Sequence, residues 1–172
     1  LHSTIAHGKV VSIDTSEAEK IDGVIKIITC FDVPEWCFPT AGHPWSTDPN
    51  HQDKADRNLL NTHVRYYGDD VAVVIARDEV ICSKALAKIK VEYEEYEYVL
   101  DPMESMKGTE VPIHEDCPDN ILAHTVNNTG DYQEAIKEEG LTNVEGWYET
   151  PMVQHAHIEN GIACAYEEAG KV

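Results

Sequence analysis

The sequence predicts an α+β fold, and three neighbouring patterns support that prediction. Val71–Ala76 is an unbroken apolar run, which is typical of a strand covered on both faces. A helical pattern follows at Asp78–Ile89, and Lys90–Leu100 then alternates apolar and acidic residues. The middle of the chain is therefore predicted as strand, helix and strand. If the two strands lie parallel in one sheet, a right-handed crossover should join them.

Two further strands are predicted before this central stretch. Gly8–Thr15 is predicted as a strand, because apolar Val11 and Ile13 alternate with polar Ser12 and Asp14. Val24–Thr29 is β-branched almost throughout, which favours a strand. A short helical turn is predicted between them at Glu17–Ile21, where acidic residues favour the start of a helix.

The central stretch itself divides at a turn. Val64–Ala76 predicts a strand, a Gly68–Asp70 turn and the buried strand, with both aspartates of the turn in water. Asp78 is placed to cap the helix. The helix has one apolar stripe, formed by Cys82, Ala85, Leu86 and Ile89.

The strand at Lys90–Leu100 should change direction or end partway along. Its apolar residues shift from odd to even positions at Glu94–Glu95, which indicates a bulge, a bend or a strand end. Its acidic face should be exposed to solvent. Beyond a loop at Pro102–Asn120, we predict a strand at Ile121–Val126, a helix at Tyr132–Glu139 capped by Asp131, and strands at Val144–Glu149 and Gly161–Tyr166.

Pro34–Asp56 is the least regular part of the chain. It contains four prolines and two tryptophans. One interpretation is a surface loop pinned by Trp36 and Trp45, and the other is a loop at an interface or functional site.

Composition restricts the class of partner. The net charge of −19 disfavours nucleic acid and anionic membranes, which need a basic surface. The sequence contains no run of about 18 apolar residues, so no membrane span is predicted.

The five cysteines show no C-x-x-C spacing, so we expect mostly buried, reduced thiols in a cytoplasmic protein. Because the chain has no initiator Met and stops within a predicted strand and turn, we expect it to be part of a longer polypeptide.

One cluster has the residue types of a metal site. In a strand, His155, His157 and Glu159 would share a face and could ligate a metal. A histidine pair satisfied by hydrogen bonds is the alternative. Because the sequence contains no nucleophile, phosphate-binding or dinucleotide motif, we predict no catalytic, cofactor-binding or metal-ligating residue in this chain.

Short motifs also occur in a fixed order along the whole chain. They are Thr4-Ile5-Ala6-His7-Gly8, Asp22-Gly23-Val24-Ile25, Phe31-Asp32-Val33-Pro34, Ala41–Trp45, Asp53–Leu60, Val64–Ala76 and Gln154–Glu159. In this order they resemble the molybdenum-binding subunit of the xanthine dehydrogenase family. The chain departs from the family at Asp22, where a proline is usual.

The resemblance implies a domain plan and a parent enzyme. Residues 1–103 would form an a/b hammerhead domain, 104–120 a linker, and 121–172 the truncated beginning of the molybdopterin-binding region. The parent would hydroxylate hypoxanthine or xanthine with oxygen from water. It would use molybdopterin-bound molybdenum, with 2Fe-2S clusters and FAD on partner subunits or domains. The family's glycine-rich loop, substrate arginine and glutamate base are missing here, so we expect a structural piece that is inactive alone.

Two alternatives stay open. The chain could belong to a sister hydroxylase acting on aldehydes, carbon monoxide or nicotinate, or it could be a free-standing interaction module. If the rest of the subunit packs against it, an apolar patch should be exposed near Trp147 and Ile158. The roles of the Pro34–Asp56 loop and of His155, His157 and Glu159 stay undetermined.

Overall fold

A computed structural model describes residues 1–39, 55–121, 124, 126–127, 129–159 and 161–171. The chain divides into two compact units, Leu1–Val126 and Asn127–Val172. The described part of the first unit contains five strands and two helices, which confirms the α+β prediction. In chain order these are β1 (Gly8–Asp14), β2 (Val24–Thr29), β3 (His63–Val64), β4 (Ala72–Ala76), α1 (Glu79–Leu86), β5 (Lys90–Glu95) and α2 (Pro102–Ser105).

The first sheet has the strand order β3-β1-β5, and both pairings are antiparallel. The register between β1 and β5 shifts after Val10, which pairs with Tyr93, while Ser12 pairs with Glu92. Val11 is the extra residue of this bulge and is 54% exposed. Val11 and Ile13 therefore do not share a face, as an uninterrupted alternation would require, because a bulge reverses the alternation of side chains. Val10 and Ile13 face the core instead.

The second sheet pairs β2 with β4, and α1 packs on both strands. The predicted coverage of β4 on both faces is wrong, because Val73 and Ile75 are 44% and 41% exposed. A single helix covers one face of a two-stranded sheet and leaves the other open. The condition for a right-handed crossover is not met, since β4 and β5 belong to different sheets.

Helix α1 begins as predicted. The side chain of Asp78 accepts a hydrogen bond from the backbone N–H of Ile81 at 2.9 Å. The helix ends at Leu86, three residues before the predicted Ile89. The predicted stripe is confirmed, because Ala85 is buried and the other three apolar residues are half-buried.

Strand β5 ends at Glu95, where the alternation of the sequence changes, and its three glutamates are exposed as predicted. No helix forms at Glu17–Ile21; this segment is a series of turns. The core combines residues of both sheets and of the loops next to them. Its buried members are Ile5, Val10, Cys30, Leu60, Val64 and Val71.

The second unit contains one short helix, α3 (Tyr132–Ala135), in its described residues. Asp131 caps it as predicted, although it ends four residues before Glu139. The described residues at 144–149 and 161–166 form no strand, so both strand predictions are wrong. Strands need a neighbour for their backbone groups, and the described part of this unit supplies none. The predicted strand at Ile121–Val126 lies partly outside the described residues, and its described positions are not in a strand.

The irregular Pro34–Asp56 segment is described only at its ends. Trp36 is exposed, so the prediction that it pins the loop is wrong. Trp45 and the Ala41–Trp45 motif lie outside the described residues. The expectation of mostly buried thiols holds for Cys30 and Cys117, whereas Cys37 and Cys164 are exposed.

Candidate functional site

The turn between β3 and β4 contains a buried carboxylate. The side chain of Asp69 is only 3% exposed, although the sequence predicted it in water. Its oxygens accept hydrogen bonds from the Asn61 side chain at 2.7 Å and from the backbone N–H groups of Arg65 and Asp70, both at 3.1 Å. Burial raises the pKa of Asp69, while the backbone N–H groups of Arg65 and Asp70 and the charges of Arg57 and Arg65 act in the opposite direction. The carboxylate therefore organises the turn.

Ser3 holds the same turn from the beginning of the chain. Its hydroxyl oxygen accepts hydrogen bonds from the N–H groups of Gly68 at 3.2 Å and Asp69 at 3.1 Å, and it donates to the carbonyl of Tyr66 at 3.1 Å. Gly68 has φ of 98°, a conformation that favours glycine. The turn is thus fixed by a residue more than sixty positions away.

A cavity of about 170 Å³ opens beside the carboxylate. The Arg57 side chain lies over the Tyr66 ring at 5.1 Å and donates to the Tyr66 hydroxyl. Arg65 donates from Nε to the carbonyl of Ile113 at 2.7 Å. The cavity is lined by Asp56, Arg57, Asn61, Arg65, Tyr66, Asp69 and His114. Two arginines and one buried carboxylate give it a mixed charge.

Two imidazoles meet near this cavity. Nε2 of His7 lies 3.0 Å from Nε2 of His63, and the rings stack with centroids 5.2 Å apart. Nδ1 of His7 lies 2.8 Å from the carbonyl oxygen of Glu97, to which it must donate. Burial, together with the charges of Arg65, His7 and His114, lowers the pKa of His63 to about 4.

The close approach of the strands beside this pair requires glycine. A Cβ on Gly8 would lie 2.4 Å from the backbone carbonyl oxygen of Glu94. In the Ala6-His7-Gly8 motif, the His7 ring therefore contacts His63 and Glu97, and Gly8 allows β1 to lie close to β5. In the sequence this motif is informative only through its family resemblance, and His7, His63 and Asp69 were not predicted as parts of a site.

The other histidine pair lies in the second unit. The rings of His155 and His157 stack with centroids 5.7 Å apart. The shared face was predicted for a strand. The backbone between them is not a strand, because Ala156 has φ of 51°. Both rings and Glu159 are exposed.

The described residues do not fit a molybdenum or zinc site. Among them, no group of three or more His, Cys, Asp or Glu is arranged to hold a metal ion. Every buried side-chain nitrogen or oxygen in this part of the chain has a hydrogen-bond partner. The hydrogen bonds around Asp69 and His7 connect strands to a turn, which is a structural role.

No helix within the described ranges combines the length and apolar character needed to cross a bilayer.

The apolar core of the first unit contains the Cys30 thiol, and burial raises the pKa of that thiol to about 11. That thiol is therefore a poor nucleophile near neutral pH.

Comparisons with known proteins agree with one another. Residues 1–97 match the family described as aldehyde oxidase and xanthine dehydrogenase, a/b hammerhead domain. The chain is 40% identical over 168 residues to the xanthine dehydrogenase molybdenum-binding subunit of Escherichia coli, covering 98% of this chain and 22% of that protein. It is 33% identical over 172 residues to a probable xanthine dehydrogenase subunit from Bacillus subtilis, covering 99% of this chain and 21% of that protein.

A solved structure is also similar. The aldehyde oxidoreductase of Desulfovibrio desulfuricans superposes with a TM-score of 0.57 at 32% sequence identity, covering 68% of this chain and 13% of that one. The chain thus spans about a fifth of the length of the curated relatives that it matches.

Proposed function

This chain belongs to the a/b hammerhead domain family of aldehyde oxidases and xanthine dehydrogenases, and we propose that it is a structural part of the molybdenum-binding subunit of a xanthine dehydrogenase. The observation that carries the proposal is the 40% identity to the Escherichia coli subunit over 98% of the chain. In the proposed assembly, the enzyme hydroxylates hypoxanthine or xanthine with oxygen from water. The isolated 172 residues are inactive.

The domain plan is part of this proposal. Residues 1–103 form the hammerhead domain, 104–120 the linker, and 121–172 the beginning of the molybdopterin-binding region. The family match over residues 1–97 supports the first of these segments. The remaining boundaries rest on the resemblance of the motifs.

The exposed apolar residues of the second unit support packing against further polypeptide. Trp147 is 88% exposed, and Ile158 is fully exposed, as the sequence predicted. Apolar side chains in such numbers are normally covered by a partner. The exposed set also includes Val144, Tyr148, Met152, Val153, Ile162 and Tyr166. We propose that the remainder of the molybdenum-binding subunit covers them.

The cofactors and partners belong to the whole enzyme. Molybdopterin-bound molybdenum supplies the redox chemistry, and the described residues of this chain offer no ligand set for it. Iron-sulfur and FAD subunits or domains would complete the electron path, in a cytoplasmic enzyme. The proposed role of this chain is structural: it forms a folded, acidic domain of that subunit.

The second candidate is the corresponding part of an aldehyde-oxidising enzyme. The similarity to the Desulfovibrio aldehyde oxidoreductase favours it. The two candidates are separated by assaying the native enzyme that carries this chain with xanthine, hypoxanthine, an aldehyde and nicotinate. Purine oxidation well above aldehyde oxidation is expected. Turnover of the aldehyde alone would reject the purine assignment.

A further inference from the structure

We propose that the hydrogen-bonded pair of His7 and His63 is a proton-sensitive clasp. It joins β1, β3 and the segment after β5 at neutral pH, and the hydrogen bond between the two rings breaks when both rings are protonated. This inference rests on the geometry of the two rings and does not depend on the proposed function.

The hydrogen bonds limit how many protons the pair can hold. Because Nδ1 of His7 donates to the Glu97 carbonyl, a neutral His7 has only Nε2 as an acceptor for His63. If His7 is charged instead, its Nε2 donates and His63 must be neutral. When both are charged, two N–H groups point at each other across 3.0 Å. The observed contact therefore cannot survive double protonation.

The pair lies where three elements meet. His63 is opposite Lys9 of β1 in the sheet, and the carbonyl of His7 accepts a hydrogen bond from the N–H of Tyr96 at 3.0 Å. The Tyr96 ring lies edge-on to both imidazoles, with centroid distances of 5.4 Å to His7 and 6.1 Å to His63. Separation of the two imidazoles thus disturbs the surface against which the Tyr96 ring packs.

Charged and titratable groups face the pair from every neighbouring element. Burial and the charges of Arg65 and His114 oppose a positive charge on His63. The His7 residue beside it is 4% exposed. The other charged or titratable groups lining the surrounding cavities are Lys9, Glu35, Cys37, Asp56, Tyr66, Tyr67, Tyr96, Glu97, Tyr98, Glu115 and Asp116.

The direction of the pH effect follows from the lowered pKa of His63. Its pKa is about 4 in the folded chain against an ordinary value of 6.5. A group with a depressed folded pKa binds more protons when the clasp is open. The clasp is therefore fully stable above pH 6.5 and loses stability as the pH falls toward 4. For His63 alone, the opening equilibrium should increase roughly 25-fold between pH 7.5 and about 5.

Amide hydrogen exchange on the full chain tests the clasp. The Tyr96 amide reports on it, because that N–H donates to His7. The Arg77 amide donates to Gly23 beside the β2–β4 sheet and serves as an internal control. After correction for intrinsic exchange rates, Tyr96 protection should fall roughly 25-fold from pH 7.5 to about 5, while Arg77 protection changes less than about threefold. A Tyr96 protection that stays constant would overturn the proposal.

Two variants separate the imidazole pair from general acid sensitivity. His63→Gln keeps a hydrogen-bonding group without a titratable proton, so the pH dependence at Tyr96 should fall below about threefold. The matched control is His2→Gln, since the His2 side chain is 72% exposed and pairs with Asp70 away from the clasp. It should retain the wild-type pH dependence. If His63→Gln keeps that dependence, or if His2→Gln removes it, the clasp is not the sensor.

A spectroscopic titration keeps the proposal testable if His63→Gln fails to fold. The ring proton resonances of His63 in the wild-type chain should titrate with a midpoint below pH 5 (about 4 from the structure). A midpoint near the ordinary value of 6.5 would refute a clasp that excludes the second proton.

Discussion

Replacing the buried carboxylate of Asp69 with a methyl group is expected to destabilise the first unit strongly. In Asp69→Ala, the Asn61 side chain and the N–H groups of Arg65 and Asp70 lose their acceptor. A buried donor left unsatisfied costs about 1–3 kcal/mol. The Asn61 contact is buried and the other two are part-buried, so water from the neighbouring cavity can replace some of the loss. The expected total is about 2–4 kcal/mol.

Urea unfolding at pH 7, followed by far-UV circular dichroism, measures this change. Asp70→Ala is the matched control, because the Asp70 side chain is 50% exposed and its ion pair with His2 lies at the surface. We expect it to change the free energy of unfolding by less than about 0.5 kcal/mol. If Asp69→Ala costs under about 1 kcal/mol, the carboxylate does not organise the turn as described.

Two further substitutions test the packing of β1. Val10→Ala should lower the free energy of unfolding by about 2 kcal/mol, because Val10 is 1% exposed in the core. Val11→Ala should lower it by less than about 0.5 kcal/mol, because Val11 is the exposed extra residue of the bulge. Equal losses for the two variants in urea unfolding would contradict the bulge. Gly8→Ala should cost about 1–3 kcal/mol in the same assay, because its Cβ would lie 2.4 Å from a backbone carbonyl oxygen of β5. Gly161→Ala is its control, since a Cβ there meets nothing within 4 Å, and equal costs for the two alanines would reject the close approach.

Local elements were predictable because short-range physics decides them. The β-branched run at Val24–Thr29 forms a strand with the predicted bounds, and Asp78 caps α1 as its position indicates. The shift of apolar residues at Glu94–Glu95 marks the end of β5. In each case the deciding residues are neighbours in sequence.

Features that depend on distant contacts were not predictable. Asp69 is buried because Ser3 docks onto its turn, and two aspartates after a glycine look like an ordinary exposed turn in the sequence. His7 and His63 are 56 positions apart and meet only because β3 pairs with β1. The bulge at Val11 likewise arises from the pairing with β5.

In the second unit, the strand predictions failed because strands also depend on distant contacts. Val144–Glu149 has the composition of a strand, but composition does not supply a neighbouring strand. The described residues there remain without regular structure, and their apolar side chains are exposed. The apolar composition of this segment therefore indicates that it is normally covered, but the described residues do not supply the strand or surface that would cover it.

The molybdenum content of the native protein that carries this chain tests the central claim most directly. The protein would be captured from cells grown with molybdate by an antibody against the first unit, and its metal measured by mass spectrometry. Membership of a molybdenum-binding subunit predicts stoichiometric molybdenum in the captured protein and none in the separately expressed chain. Captured protein without molybdenum, or stoichiometric molybdenum bound to the separate chain, would contradict the claim that this is a structural part of such a subunit.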